Sequence, residues 1–108
     1  MATTYVAKQI QSVANTETDL YTVPAVTWGQ ILSIFICNKG AVQDTFTISL
    51  SVGGAATDPK DYLYYQVTLA SHDSFLITTP IFVHTADKIR IKSVTTDISY
   101  NLFAVETS

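Results

Sequence analysis

The side chains that could do chemistry in this chain are few and scattered. His72 and His84 are the only imidazoles, and Cys37 is the only thiol. A hydrolytic triad needs a nucleophile, an imidazole and a carboxylate within hydrogen-bond reach of one another. His72 stands beside Asp73, but successive residues on a strand point to opposite sides, so turn or surface histidines are expected. Cys37 closes a strongly apolar run, where a buried and inert thiol is expected. The sequence contains no G-x-S-x-G elbow, no G-x-x-x-x-G-K-[ST] phosphate loop and no H-E-x-x-H zinc helix. Asp58, Asp61, Asp73, Asp87 and Asp97 fall in turn-like segments, where short carboxylates bond their own backbone. Two such loops could together hold calcium, although the regular ligand spacing of a calcium loop is absent. Trp28, Tyr62 and Tyr64 could form a platform on which a sugar stacks, but aromatics beside strands more often serve a core or an interface. The residues therefore predict no enzyme, no cofactor and no metal site.

Composition narrows the alternatives. The 108 residues suit one domain, 1–108, with residues 1–17 forming either an N-terminal arm or an edge strand. Apolar residues make up 47% and charged residues 14%, the opposite of a disordered chain. A formal net charge of −3 offers no attraction to nucleic acid or to anionic lipid. A single cysteine excludes an internal disulfide framework. The first eleven residues lack the basic start and apolar run of a signal peptide. No apolar stretch reaches the roughly 18 residues needed to cross a bilayer as a helix. Synthesis in the cytoplasm and a soluble product are the expectation.

Val, Ile, Thr and aromatic residues dominate, and no window repeats apolar residues at helical spacing. The alternation is clearest from Gln43 to Val52. Phe46, Ile48, Leu50 and Val52 are expected on one face, with Thr45, Thr47, Ser49 and Ser51 on a wet face. Ile89 and Ile91 alternate with Lys88, Arg90 and Lys92 in the same way, and those cations would guard the strand if it lay at a sheet margin. Turn residues punctuate the chain at Asn38-Lys39-Gly40, Gly53-Gly54, Asp58-Pro59 and three later polar breaks. About eight strands follow, at 3–14, 18–23, 28–38, 43–52, 62–69, 73–79, 88–94 and 98–106. Short strands at this spacing predict an all-β fold, a single antiparallel β-sandwich of jelly-roll-like layout, with an immunoglobulin-like sandwich as the alternative.

Three segments break the clean alternation. From Ile31 to Cys37, Ile31, Phe35 and Cys37 are read on one side and Leu32, Ile34 and Ile36 on the other. The last strand sets Tyr100, Leu102 and Ala104 against Phe103 and Val105. From Asp61 to Leu69, Leu63, Tyr65, Val67 and Leu69 are read as buried, leaving Tyr62 and Tyr64 outward. One core cannot bury both faces of a strand, so something must cover the second faces. That cover is either a stretch of this chain or another subunit.

Several of these motifs together resemble a known family. They are Leu20-Tyr21-Thr22-Val23-Pro24, Ile36-Cys37-Asn38, the Thr/Phe alternation through Phe46, and Asp61-Tyr62-Leu63-Tyr64-Tyr65. Leu69 to Phe75, Ala86 to Ile91 and Asn101 to Glu106 continue the match. This pattern resembles the small β-sandwich virion structural proteins of tailed bacteriophages, of the capsid decoration (cement) type. Val26, where the family commonly has glycine, and Trp28, where it has small polar residues, depart from it within one loop. The resemblance implies a protein on the capsid exterior, partnered by copies of itself, as a trimer, and by the major capsid protein. A tail or fibre component that binds a receptor or glycan is the alternative. Trp28, Tyr62, Tyr64 and Phe103 are the candidate interface anchors, as large aromatics of the kind that dominate contact energy.

Overall fold

The computed structural model describes residues 2–108. Nine strands run β1 (Thr3–Gln11), β2 (Thr18–Thr22), β3 (Trp28–Asn38), β4 (Asp44–Ser51), β5 (Tyr62–Leu69), β6 (Ser74–Ile77), β7 (Ile81–His84), β8 (Lys88–Ser93) and β9 (Ile98–Thr107). One sheet has the order β1-β9-β3-β6, with β7 also paired to β3, and the other has the order β2-β8-β4-β5. All the named pairings are antiparallel. The pairs nest: β4 with β5 at the tip, then β3 with β6 and β7, β2 with β8, and β1 with β9. The chain is thus a long hairpin rolled into two layers, an antiparallel β-sandwich.

The extra strand is β7. Pro80 cannot donate to a sheet ladder, so the chain makes two short strands, β6 and β7, each paired with a different part of the eleven-residue β3. Sequence alternation alone suggests one strand over 73–79 and none between it and 88–94.

The core lies between the layers. Ile31, Ile34, Ile36, Tyr100 and Leu102 of the first sheet meet Phe46, Ile48, Ile89 and Ile91 of the second, all essentially inaccessible. Tyr21, on β2, crosses this layer to hydrogen-bond Glu106 on β9. Burial, then the hydrogen bond to Glu106 and its charge, push the Tyr21 hydroxyl to a raised pKa, so it is held as a neutral donor. Burial likewise raises Tyr100 to about 12, against the lowering effect of its bond to Ser93.

Two β-bulges and one early strand end correct the expected facings. Between Ile31 and Ser33 the register against β9 slips by one residue. Ile31 therefore joins Ile34 and Ile36 inside while Leu32 is exposed. On β5, Tyr65 and Gln66 together oppose Thr47, and Gln66 takes a φ of 49°. Its N–H donates to the Thr47 hydroxyl at 3.0 Å. This extra residue turns Tyr64 inward and leaves Leu63 and Tyr65 outside, the reverse of the expected facing. The expected strand 43–52 ends at Ser51, so Val52 lies in an exposed 3-10 turn, not in the core.

The face of β4 expected to be wet is largely covered. Thr47, Ser49 and Ser51 are buried, because they are short residues beside long ones: Ser49 lies between Tyr62 and Arg90 across the sheet. Arg90 donates to Asp19 Oδ1, Ser51 Oγ, Thr57 Oγ1 and the carbonyls of Gly54 and Ala55, at 2.7–3.3 Å. It ties β2, β4 and the long loop to β8, which is a central strand. The cations of β8 therefore hold an interior position together; they do not guard a margin.

Asp44 forms a second clamp. Its carboxylate accepts from Thr45 N–H (2.6 Å), Val94 N–H (3.1 Å), and both the N–H and the hydroxyl of Thr95 (2.9 and 2.6 Å). Burial acts to raise its pKa, but these hydrogen bonds outweigh it and the net shift is downward. The bond from Lys88 leads the lowering at Asp19. A carboxylate with a depressed folded pKa stabilises the fold fully above its unfolded pKa of about 3.9, and that contribution fades as pH falls through the folded value. Thermal melts from neutral pH downward should hold a constant midpoint to about pH 4 and then fall. Asp44→Asn should lower the neutral-pH stability by about 1–3 kcal/mol and flatten the acid limb. An unchanged acid limb in that variant would contradict the role given to Asp44.

Candidate interaction face

Residues directly opposite one another on paired strands share a face, so the register defines the outer side of the five-stranded sheet row by row. Tyr5, Val105, Gln30 and Phe82 make one row. Ala7, Phe103 and Ser33 make the next, and Gln9, Asn101, Phe35 and Leu76 the one beyond. On the opposite side of the first row lie Thr3, Thr107, Trp28 and His84. Seven large apolar side chains on the outer side of this sheet are exposed: Tyr5, Trp28, Leu32, Phe35, Leu76, Phe82 and Phe103, at 38–82%. Phe35 and Phe103 pack edge to face with centroids 5.8 Å apart. These four rows contain no Asp, Glu, Lys or Arg.

The second sheet presents a different outer side. Its central strands offer Thr45, Thr47, Ser49 and Ser51 beside Lys88, Arg90 and Lys92, with Asp19 paired to Lys88 and Arg90, both at 2.9 Å. Tyr62 and Tyr65 form an edge-to-face pair at its margin, 4.7 Å between centroids. One side of the sandwich is apolar and the other is polar.

This division sorts the four candidate anchors. Trp28 and Phe103 share the apolar face. Tyr62 lies on the outer side of the opposite sheet. Tyr64 is half-buried against Phe46 and Phe75, with centroids 6.3 and 5.9 Å away, so its expected outward position is corrected by the bulge at Gln66. The stacking platform of Trp28 with Tyr62 and Tyr64 is not formed, because these side chains belong to different layers. Tyr5, Leu76 and Phe82 were not singled out from the sequence. Phe82 sits in the strand that Pro80 concealed, and Tyr5 lies on a strand whose inward positions are too weakly buried to mark a core face.

Trp28 and Phe82 wall a depression of about 160 Å³ whose other residues are Gly29, Gln30, Val105 and Thr107. Gly29 is required here by close approach: a Cβ would lie 2.5 Å from the Val105 carbonyl oxygen. The remaining reactive groups stay apart. Cys37, expected buried, is half-buried on the outer side opposite Ser74 and Ser99. His72 is exposed in the β5–β6 turn with a φ of 60°. Asp87 accepts from the N–H groups of Gly53 and His84, at 2.8 and 2.9 Å, and so fixes a turn. Among the described residues, no three His, Cys, Asp or Glu side chains come together to hold a metal.

No family model and no curated protein matches this sequence. The fold itself has counterparts. A chain from the structure of Bacillus endospore appendages, described as a novel family of disulfide-linked pili, superposes with a TM-score of 0.62 at 13% identity, covering 99% of this chain and 87% of that one. A chain from the acidic stable capsid of Helicobacter pylori bacteriophage KHP30 superposes with a TM-score of 0.55 at 9% identity, covering 98% of this chain and 87% of that one. At such identities the likeness is one of fold.

Packing contacts separate the two candidate tyrosines. Tyr64→Ala should cost about 2–4 kcal/mol in denaturant unfolding, as removal of a ring packed on the core does. Tyr62→Ala should cost under about 1 kcal/mol. Equal losses would contradict the inward placement of Tyr64.

Proposed function

We propose that this chain is a structural protein of a bacteriophage virion, a capsid decoration (cement) protein that binds and stabilises the major capsid shell. The observation that carries the reading is the contrast between the two outer sides of the sandwich. A polar side can face water indefinitely, whereas a contiguous apolar sheet face on a small protein marks a contact surface. Fold likeness to a chain from a phage capsid structure and to a chain from a spore appendage supports an assembly role. So does the virion-protein resemblance of the sequence motifs.

The mechanism is burial of the apolar side against the shell. Each Å² of apolar surface removed from water contributes about 25 cal/mol before association costs are subtracted. Repetition over many equivalent sites would turn modest individual contacts into durable attachment. Phe103 and Phe35 sit at the middle of the face and Trp28 near one end, with the depression beside it suited to one inserted side chain. That same depression supports a second reading, a tail or fibre module that stacks a sugar on Trp28 and Phe82 with Gln30 and Thr107 as hydrogen-bonding neighbours.

Counting the chain in purified virions tests the choice. Copies in the hundreds support the decoration reading, about a dozen or fewer per particle support the tail reading, since tails repeat few subunits around one axis, and no copies overturn both. Phe103→Asp and Phe35→Asp should each abolish attachment to particles stripped of this protein while leaving the melting midpoint within about 5 °C, as both side chains are outward. Variants that attach normally would remove the apolar face from the mechanism.

A further inference from the structure

Each sheet has two margins, and three of the four are blunted. On β5 the register slips twice, and Gln66 adopts a left-handed conformation. β2 has only five residues, with a bulge between Asp19 and Tyr21. The margin opposite β1 is split between β6 and β7, four residues each, with Thr78, Thr79 and Pro80 between them. Bulges, short strands and proline are the devices that stop a sheet from adding strands.

β1 has none of them. Its nine residues keep an unbroken register with β9, from Thr3 opposite Thr107 to Gln11 opposite Ser99. The strand has no proline or glycine, and Lys8 is its only charge. The direction of its backbone groups follows from its ends. Ala2 and Ser108 exchange both hydrogen bonds, at 2.8 and 3.0 Å, and Ser12 N–H donates to the Ile98 carbonyl at 2.8 Å. Bonded and non-bonded pairs alternate along an antiparallel ladder. Thr4, Val6, Lys8 and Ile10 therefore address β9. Thr3, Tyr5, Ala7, Gln9 and Gln11 direct both N–H and C=O to the open margin.

We infer that β1 pairs through this margin with β1 of a second copy of the chain, antiparallel about a two-fold axis at Ala7. A flat margin needs a flat partner, and β1 is the one margin strand among the described residues that remains flat. A contact between copies is then the same surface on both, which closes on itself. With the axis at Ala7, Tyr5 faces the second copy's Gln9, and Thr3 faces its Gln11. Every margin-facing N–H and C=O of both strands then finds a partner. Val6 faces the second copy's Lys8. Moving the axis to Lys8 would set two like charges opposite each other and leave end groups unpaired. The pairing joins two five-stranded sheets into one, and it sets their apolar outer sides next to each other. It rests on the margin alone and holds whichever partner covers that side.

Sedimentation velocity of the full chain over a range of micromolar concentrations tests it, with Ala7→Pro and Ala7→Lys. Proline at Ala7 removes an N–H that β9 does not use, and edge strands accept proline where the N–H faces solvent. Lysine there brings two charges together on the axis, and its side chain is outward. The wild type should form a reversible dimer, and each variant should weaken it about 100-fold or more while keeping a folded monomer. Amide exchange at Tyr5, Ala7 and Gln9 should slow as concentration rises, while Val6 and Lys8 stay slow throughout. A wild type that stays monomeric, or assembles only as a trimer, overturns the inference. So does a dimer that Ala7→Lys leaves intact, or margin amides that exchange at one rate at every concentration. Should Ala7→Pro unfold, Ala7→Lys and the exchange rates still decide it.

Discussion

The contact between the two inner layers, with Ile34, Ile36, Tyr100 and Leu102 on one side and Phe46, Ile48, Ile89 and Ile91 on the other, is what the rest of the molecule hangs on. A pleated strand has two faces and this sandwich has one core, so each strand can commit only one face to it. The polar clamps work at the periphery of that layer. Arg90 fastens the long loop to the second sheet, Asp44 fastens the start of β4 to the turn before β9, and the bond between Tyr21 and Glu106 bridges the layers. Of these, the bond between Tyr21 and Glu106 depends directly on the spacing that the apolar layer sets between the sheets.

What each sheet does with its other face differs. The second sheet satisfies much of it internally: serine and threonine hydroxyls lie beside arginine and tyrosine side chains, and Lys88 and Arg90 are paired with Asp19. The first sheet leaves its aromatics in water. This asymmetry gives the molecule a direction, with one outer side largely satisfied within the chain and the other presenting aromatic side chains to solvent.

The all-β class and most of the strands were legible because alternation survives in the sequence wherever a strand pairs without interruption, as in Phe46 to Leu50 and Ile89 to Ile91. The apolar second face was legible from Phe35 and Phe103, which sit out of phase with Ile34, Ile36, Tyr100 and Leu102. The facing of β5 was not. A bulge built on glutamine at φ 49° leaves no residue-type signature, since glycine or asparagine is what left-handed backbone usually selects. One inserted residue then exchanged Tyr64 for Tyr65. The strand holding Phe82 was hidden for the opposite reason, because Pro80 reads as the end of sheet structure when here it divides two pieces of one margin. Sequence also gives no view of which strands lie at margins, so a guarding role for the cations of β8 stays conditional on an edge position, and β8 lies inside its sheet.

The rolled hairpin also has a kinetic side. The tip pair, β4 with β5, joins segments close in the chain, whereas β1 with β9 unites residues from its two ends, Thr3 with Thr107. Closing wide loops before their contacts repay the lost entropy is slow, and sandwiches of this kind fold in milliseconds to seconds, not microseconds. The pairing of β1 with β9 closes the widest of these loops, and most side chains of β1 stay in water. The strand with the barest margin is thus also the one whose pairing carries the greatest loop-closure cost.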